Sequence, residues 1–197
     1  GVTTNPRHVQ ASGKPFLTVI REIGDLFAGT DKPISVEVNP HHTDFEKMVA
    51  EGETLAAMCP NFVIKLPATE PGYKAVAVLK EKGIRSNLTL VFSSAQALHA
   101  MRMGAYFISP FIGWKEANGE EVVSFIEEIL AIRANYGFSS EIIVAAVRNG
   151  RQIVDAAVAG ADIVTAGLAV FKDAFDHPYT GVGLHKFQEF WDQTPYK

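Results

Sequence analysis

Lys65 stands in the run "FVIKL" among Phe62, Val63, Ile64 and Leu66, an amine set inside what otherwise reads as a buried strand. Runs of the same kind elsewhere also carry polar side chains. They are Thr3 and Asn5 in "GVTTN", Glu37 in "ISVEV", Asn87 and Thr89 in "NLTLVF", and Ser109 in "YFISPF", with Arg148 just past "EIIVAAV". Side chains alternate across a strand, so Thr3 shares a face with Asn5, and Asn87 with Thr89. An amine shielded from water favours its neutral form, which attacks a ketone to give a carbinolamine and then a Schiff base. The protonated imine is an electron sink that lets the C3–C4 bond of a ketose break. Such chemistry needs a proton carrier, and Glu37 is the only carboxylate inside a strand that faces the same way.

Each of these residues also has a plainer reading. A lysine near a strand end can cover apolar surface with its stem while its amine reaches water. Glu37 could be an ion-pair partner, and Asn5, Asn87 and Thr89 could simply satisfy local hydrogen bonds. Burying several polar groups without partners would cost about 1–3 kcal/mol each, so one shared pocket accounts for them together.

The elements that would position them alternate along the chain. "FLTVIREIGDLF" places Phe16, Val19, Ile20, Ile23, Leu26 and Phe27 on one helical face, and the strand "ISVEV" follows Pro33. "TDFEKMVAEGETLAAM" predicts a helix with Thr43 as cap and Glu46 closing a capping box. Strand "FVIKL", helix "TEPGYKAVAVLKEKG", strand "NLTLVF", helix "SAQALHAMRMG" and strand "YFISPF" come next. Helix "GEEVVSFIEEILAIRANYG", strand "EIIVAAV", helix "GRQIVDAAVAG" and strand "DIVTAG" continue the pattern, with helices near 168–175 and 182–191. Counting "GVTTN", this makes seven strands, each followed by a helix, which predicts a parallel sheet with right-handed crossovers. An open doubly wound sheet and a closed (β/α)₈ barrel both fit. The barrel is favoured because no G-x-G-x-x-G fingerprint is present and because polar residues sit inside nearly every strand, where they would line a mouth at the C-terminal face. The expectation is a single domain over 1–197, with a C-terminal helix at about 181–192.

Composition narrows the function. Of 197 residues 47% are hydrophobic and the net charge is −4, with no basic stripe, so nucleic acid is not an expected partner. The only cysteine is Cys59, which leaves no disulfide framework and points to a reducing compartment, the cytoplasm. His41 and His42 are adjacent with no third ligand at a suitable spacing, so no metal is expected. The most apolar window, 153–171, contains Asp155 and Asp162, each costing roughly 3 kcal/mol at a bilayer centre, so no membrane span is expected.

Seven motifs in order, "GVTTNP", "SVEV", "VIKLPAT", "NLTLVFSSAQA", "GAYFISPFIG", "VAAVRN" and "AGADIVT", resemble the strand motifs of the transaldolase family from Gly1 to about Trp191. The resemblance implies a (β/α)₈ TIM barrel, acting without metal or organic cofactor. Its reaction would move a dihydroxyacetone unit from a ketose to an aldose through a lysine imine. Lys65 would be the Schiff-base lysine, and Glu37 and Thr89 would hold the proton-shuttling water. Thr3, Asn5 and Asn87 would bind the donor's hydroxyls, Ser109 and Phe111 would line the pocket, and Arg148 would take the anionic tail. The aldolase branch, which cleaves fructose 6-phosphate, carries Gln and Tyr where this chain has Glu37 and Phe111, so both positions favour transfer. The family's first strand, with an aspartate acting as acid or base, lies ahead of "GVTTNP", so the barrel is expected without its first βα unit. A homo-oligomer is implied as well, and the stripe Leu184, Phe187, Phe190 and Trp191 would cover either its own barrel or a neighbour.

Three positions depart from the family pattern. Arg7 stands in place of a serine, Trp114 in place of an arginine, and Ala146 in place of a serine two before Arg148. The latter two positions normally grip phosphate, a dianion best held by bidentate arginine. A sulfonate carries one charge and is bonded directly to carbon, and Trp114 with Arg7 and Arg148 suits it better. The donor expected is therefore 6-deoxy-6-sulfofructose over fructose 6-phosphate, with an aldose phosphate such as glyceraldehyde 3-phosphate as acceptor. Lys115 is the alternative source of the lost charge. Two rivals stand beside this reading: aldolase-type cleavage releasing dihydroxyacetone, and a barrel that binds sugar anions without catalysis.

Overall fold

The computed structural model describes residues 1–197. In chain order the elements are β1 (Val2–Thr3), α1 (Pro6–Ala11), α2 (Phe16–Leu26), β2 (Ile34–Glu37), α3 (Phe45–Ala56), β3 (Phe62–Pro67), α4 (Glu70–Glu81), β4 (Ser86–Val91), α5 (Ser94–Met103), β5 (Phe107–Pro110), α6 (Ile112–Ala117), α7 (Val123–Tyr136), β6 (Glu141–Val147), α8 (Gly150–Ala159), β7 (Ile163–Ala166), α9 (Leu168–Phe175) and α10 (Pro178–Asp192). All pairings are parallel, and the seven strands follow one another in sequence order with no reversal. A doubly wound sheet would reverse its order at a switch point, so this is the barrel arrangement. β1 and β7 are the two edges, and Thr3 Oγ1 lies 2.7 Å from Thr165 Oγ1 across the seam between them.

Strand alternation sorts the apolar residues into two cores. Ile34, Val36, Ile64, Leu66, Leu88 and Ile108 point outward into a cluster of 29 buried residues shared with the helices. Val63, Phe107 and Ile143 point inward and, with Ile163 against them, fill the barrel interior. Helix periodicity supplies the other side of the outer core: Met48, Val49, Gly52 and Leu55 from α3, and Gly72, Ala75, Val76 and Leu79 from α4. Each fully buried Leu or Ile in this layer contributes about 1.5–3 kcal/mol.

Some boundaries differ from the sequence expectation. Asp44, not Thr43, caps α3: its carboxylate accepts from Lys47 N at 2.9 Å, and the expected box of Thr43 with Glu46 does not form. A capping box does form on α5, between Ser93 and Gln96. The helices α1 and α6, six residues each, were not expected, being too short to show a period. The last helix starts at Pro178, capped by His177, rather than near residue 181. No helix is long and apolar enough to cross a membrane.

Two strands are irregular near their C-terminal ends. The register shifts between Leu88 and Val91 on β4 and between Val144 and Val147 on β6. Leu90 and Ala146 both have φ of 58° there, a left-handed conformation that costs an L-residue about 1–2 kcal/mol. Behind the second bulge, Gly113 of α6 allows close contact: a Cβ on it would meet the Ala146 carbonyl oxygen at 2.1 Å and Arg148 Nε at 3.1 Å. Gly113→Ala is therefore expected to destabilise the fold by about 1–3 kcal/mol, the scale of overpacking. A thermal melt checks this.

Candidate active site

β2 and β3 pair so that Glu37 is the direct neighbour of Lys65. The Lys65 side chain is 6% exposed, and its Nζ donates to Glu37 Oε2 at 3.0 Å and to the Thr4 carbonyl at 3.0 Å. The amine is thus held by two acceptors at the mouth end of the barrel, not released to bulk water. The Thr4 carbonyl is itself fixed, since Thr4 N and Thr4 Oγ1 both donate to the Ser35 carbonyl, at 2.9 and 2.8 Å.

On the next strands the polar residues form a chain below the amine. Asn87 Nδ2 donates to Ser35 Oγ at 3.0 Å, and Ser109 Oγ donates to Asn87 Oδ1 at 2.8 Å. Thr89 is 1% exposed, and its Oγ1 is the one buried side-chain nitrogen or oxygen without a hydrogen-bond partner. An orphaned hydroxyl costs about 1–3 kcal/mol, which a bound water or ligand hydroxyl would remove.

Lys65, Glu37, Ser109 and Thr89 open onto one cavity of about 400 Å³. Its wall includes Lys65, Glu37, Thr89, Thr3, Asn5, Ser109, Phe111, Arg7, Trp114 and Arg148, and Glu37 is the only acidic residue in it. Asn87 does not reach the cavity: it is fully buried beneath Ser109. Asn5 Oδ1 caps α1 by accepting from His8 N at 2.9 Å, so its amide NH₂ is the part left without a protein partner.

The residues matched by this geometry also carry a family signature. The family profile described as Transaldolase/Fructose-6-phosphate aldolase matches residues 1–194. The chain belongs to that family. A protein from Priestia aryabhattai named "6-deoxy-6-sulfo-D-fructose transaldolase" is 54% identical over 195 residues, covering 98% of this chain and 86% of the relative. The protein of the same name from Priestia megaterium (strain ATCC 12872 / QMB1551) gives the same figures. "Probable transaldolase" from Caulobacter sp. (strain K31) is 48% identical over 194 residues, covering 98% and 87% of the two chains. The chain is accordingly a transferase of the transaldolase type with a TIM-like α/β fold.

On this transaldolase barrel the three departures from the family pattern meet at the cavity mouth. Trp114 is 51% exposed and packs edge-on against Phe111, with ring centroids 5.9 Å apart, while Phe92 lies 5.7 Å from both rings. Lys115 turns away: its Nζ donates to the Phe92 carbonyl at 3.2 Å, pairs with Glu120 and sits 4.9 Å over the Phe125 ring. It does not supply charge to the cavity. The arginines used in ion pairs are Arg133, with Asp162, and Arg151, with Asp155, which leaves Arg7 and Arg148 open to an anion.

The sequence reading passed over several parts of the wall. Thr165 had the same signal as Thr3, a hydroxyl in an otherwise apolar strand, and it lines the cavity. His8, Leu90 and Gly167 line it too, placed there by α1, the β4 bulge and the start of α9. The histidines considered for metal binding lie elsewhere, His42 beside Glu51 at 3.1 Å.

Proposed function

We propose that this chain transfers a dihydroxyacetone unit from 6-deoxy-6-sulfofructose, in preference to fructose 6-phosphate, to an aldose phosphate such as glyceraldehyde 3-phosphate. The observation that carries the reading is the enclosed amine of Lys65, hydrogen-bonded to the single carboxylate of a cavity whose mouth holds two unpaired guanidiniums. Neutral Lys65 attacks C2 of the ketose, water leaves the carbinolamine, and the protonated imine forms. Loss of the C4 hydroxyl proton breaks C3–C4 and releases sulfolactaldehyde, with the electron pair held as an enamine. The enamine then adds to the acceptor aldehyde, and hydrolysis returns the water and frees the lysine.

Glu37 is the proton carrier in this scheme, acting through a water that Thr89 Oγ1 holds. That hydroxyl's lack of a protein partner supports the assignment. Thr3, Asn5 and Ser109 contact the donor's hydroxyls, Asn87 orients Ser109 from below, and Phe111 forms the wall. Arg7, Trp114 and Arg148 hold the sulfonate. The name of the 54% identical relatives supports the choice of donor, as does Lys115 being engaged elsewhere.

Residues 1–197 act as one barrel domain in this reading, and the enzyme is placed in the cytoplasm, where the lone thiol of Cys59 suits a reducing environment. It works as a homo-oligomer, since α9 and α10 bury no residue and leave Leu184, Phe187, Phe190 and Trp191 all more than half exposed. A place in sulfoquinovose degradation goes with the sulfonate donor, and one in the pentose phosphate route with fructose 6-phosphate.

The test compares rates on the two donors with glyceraldehyde 3-phosphate as acceptor. The sulfonate should react faster. Trp114→Arg should raise the rate on fructose 6-phosphate relative to the sulfonate by about tenfold, the scale of one added charge-assisted hydrogen bond. Unchanged selectivity in that variant would remove the argument for the donor.

A further inference from the structure

The number of hydrogens on Lys65 Nζ changes during the reaction, and its two acceptors do not change with it. As an ammonium, Nζ carries three hydrogens, as a neutral amine two, and as the protonated imine one. In the free protein it donates to both Glu37 Oε2 and the Thr4 carbonyl. Once the imine forms, only one of these bonds can remain. This rests on the Lys65 Schiff-base reading above.

The two acceptors differ in what they would do to that last hydrogen. Glu37 is a carboxylate at the end of a rotatable side chain, and it also faces the cavity. Held against the iminium, its charge would be spent on the ion pair, and it would be unable to carry protons for the substrate. The Thr4 carbonyl is neutral and cannot take the proton. It is also rigid, because Thr4 is 4% exposed and is fastened to the Ser35 carbonyl through both its N–H and its hydroxyl. Ser35 Oγ accepts in turn from Asn87, which accepts from Ser109, so the anchor extends over three strands. We infer that the Thr4 carbonyl keeps the single N–H of the Lys65 iminium, which holds the imine protonated, fixes its plane and frees Glu37 to carry protons. Thr4 is thus a positioning residue that acts through its main chain.

The test uses the full chain. Thr4→Val removes the hydroxyl bond to Ser35 at nearly constant volume, and Thr4→Ser keeps it. Replacing Asn5 by its α-hydroxy acid turns the Thr4 carbonyl into an ester carbonyl, a weaker acceptor, with the Thr4 side chain untouched. Ligation at Cys59, the sole cysteine, makes this variant accessible. Borohydride with donor must first add mass to the wild-type peptide containing Lys65; absence of the adduct defeats the Schiff-base reading itself.

With the adduct present, single-turnover cleavage is followed against pH. The other ionisable groups facing the amine are Glu37 on β2, Arg7 and His8 on α1, and Arg148 after β6, and no variant alters them. Thr4→Val and the ester are expected to slow cleavage about tenfold, the scale of one hydrogen bond to a charged group. The donor KM should stay within about twofold, and the alkaline limb should move to lower pH because the imine deprotonates more readily. Thr4→Ser should restore rate and limb. A slower rate with an unmoved limb in either Thr4→Val or the ester, or an unchanged rate in the ester, overturns the inference while leaving the Schiff base standing. If Thr4→Val fails to fold, the ester decides alone.

Discussion

Lys65→Met is expected to lower the transfer rate on the order of 10⁶-fold, the scale of removing a covalent nucleophile. Borohydride with donor should then leave no adduct on the peptide containing residue 65. The size of the effect follows from the position of the amine. No other lysine lines the cavity, and Lys115, the nearest in sequence to its mouth, is engaged by the Phe92 carbonyl and Glu120. A second nucleophile cannot take over. The same change strips Glu37, whose side chain is 13% exposed, of its cation, so a loss of about 1–3 kcal/mol in stability should accompany it. Combining it with Glu37→Gln should recover stability but not activity, which separates chemistry from folding in a pair of melts and rate measurements. A Lys65→Met protein that still formed the borohydride adduct would assign the nucleophile elsewhere.

The second large effect is expected from Glu37→Gln. The amide keeps the shape and can still accept from Lys65, but it cannot carry a proton. Transfer should slow by about 10²–10⁴-fold, the range for a general acid–base group. The borohydride adduct should survive, because imine formation needs the amine more than the carboxylate. Since the family resemblance assigns Gln at this position to the aldolase branch, the fraction of dihydroxyacetone released to water should rise relative to transfer. Product analysis with and without the aldose acceptor reads both numbers. Transfer at the wild-type rate would give the proton-carrier role to another group.

Much of this architecture is legible in the residues because two periods are strong. The period of two in "FVIKL" and "YFISPF" separates the outward Ile64, Leu66 and Ile108 from the inward Lys65 and Ser109, and the helical period in α3 and α4 marks their buried faces. Where two capping residues are adjacent, as Thr43 and Asp44 are, type alone cannot choose, and the turn geometry selects Asp44. Asn87 faces inward as alternation requires, but alternation carries no depth. One layer lower than Thr89, it meets Ser35 and Ser109 instead of the cavity. The Thr4 carbonyl left no trace in the sequence, because a main-chain acceptor is common to every residue. Likewise Leu90 and Ala146 adopt a backbone that glycine or asparagine would have announced, and neither residue does.

Those two bulges behave like frameshifts in the inside–outside code of a strand. Without them, Asn87 and Thr89 inward would mean Leu90 outward and Val91 inward. Instead Thr89 and Leu90 both line the cavity and Val91 joins the outer core, just as Ala145 and Ala146 both line it and Val147 joins that core while still bordering the cavity. Each strand thereby presents successive residues to the cavity and returns to its helix in the opposite phase. Chimeras that exchange segments with a straight-stranded barrel would stay in phase only if cut before Thr89 or before Ala145. A crossover a residue or two later would bring an apolar side chain into the cavity and leave the outer core one side chain short, with no change in composition to warn of it.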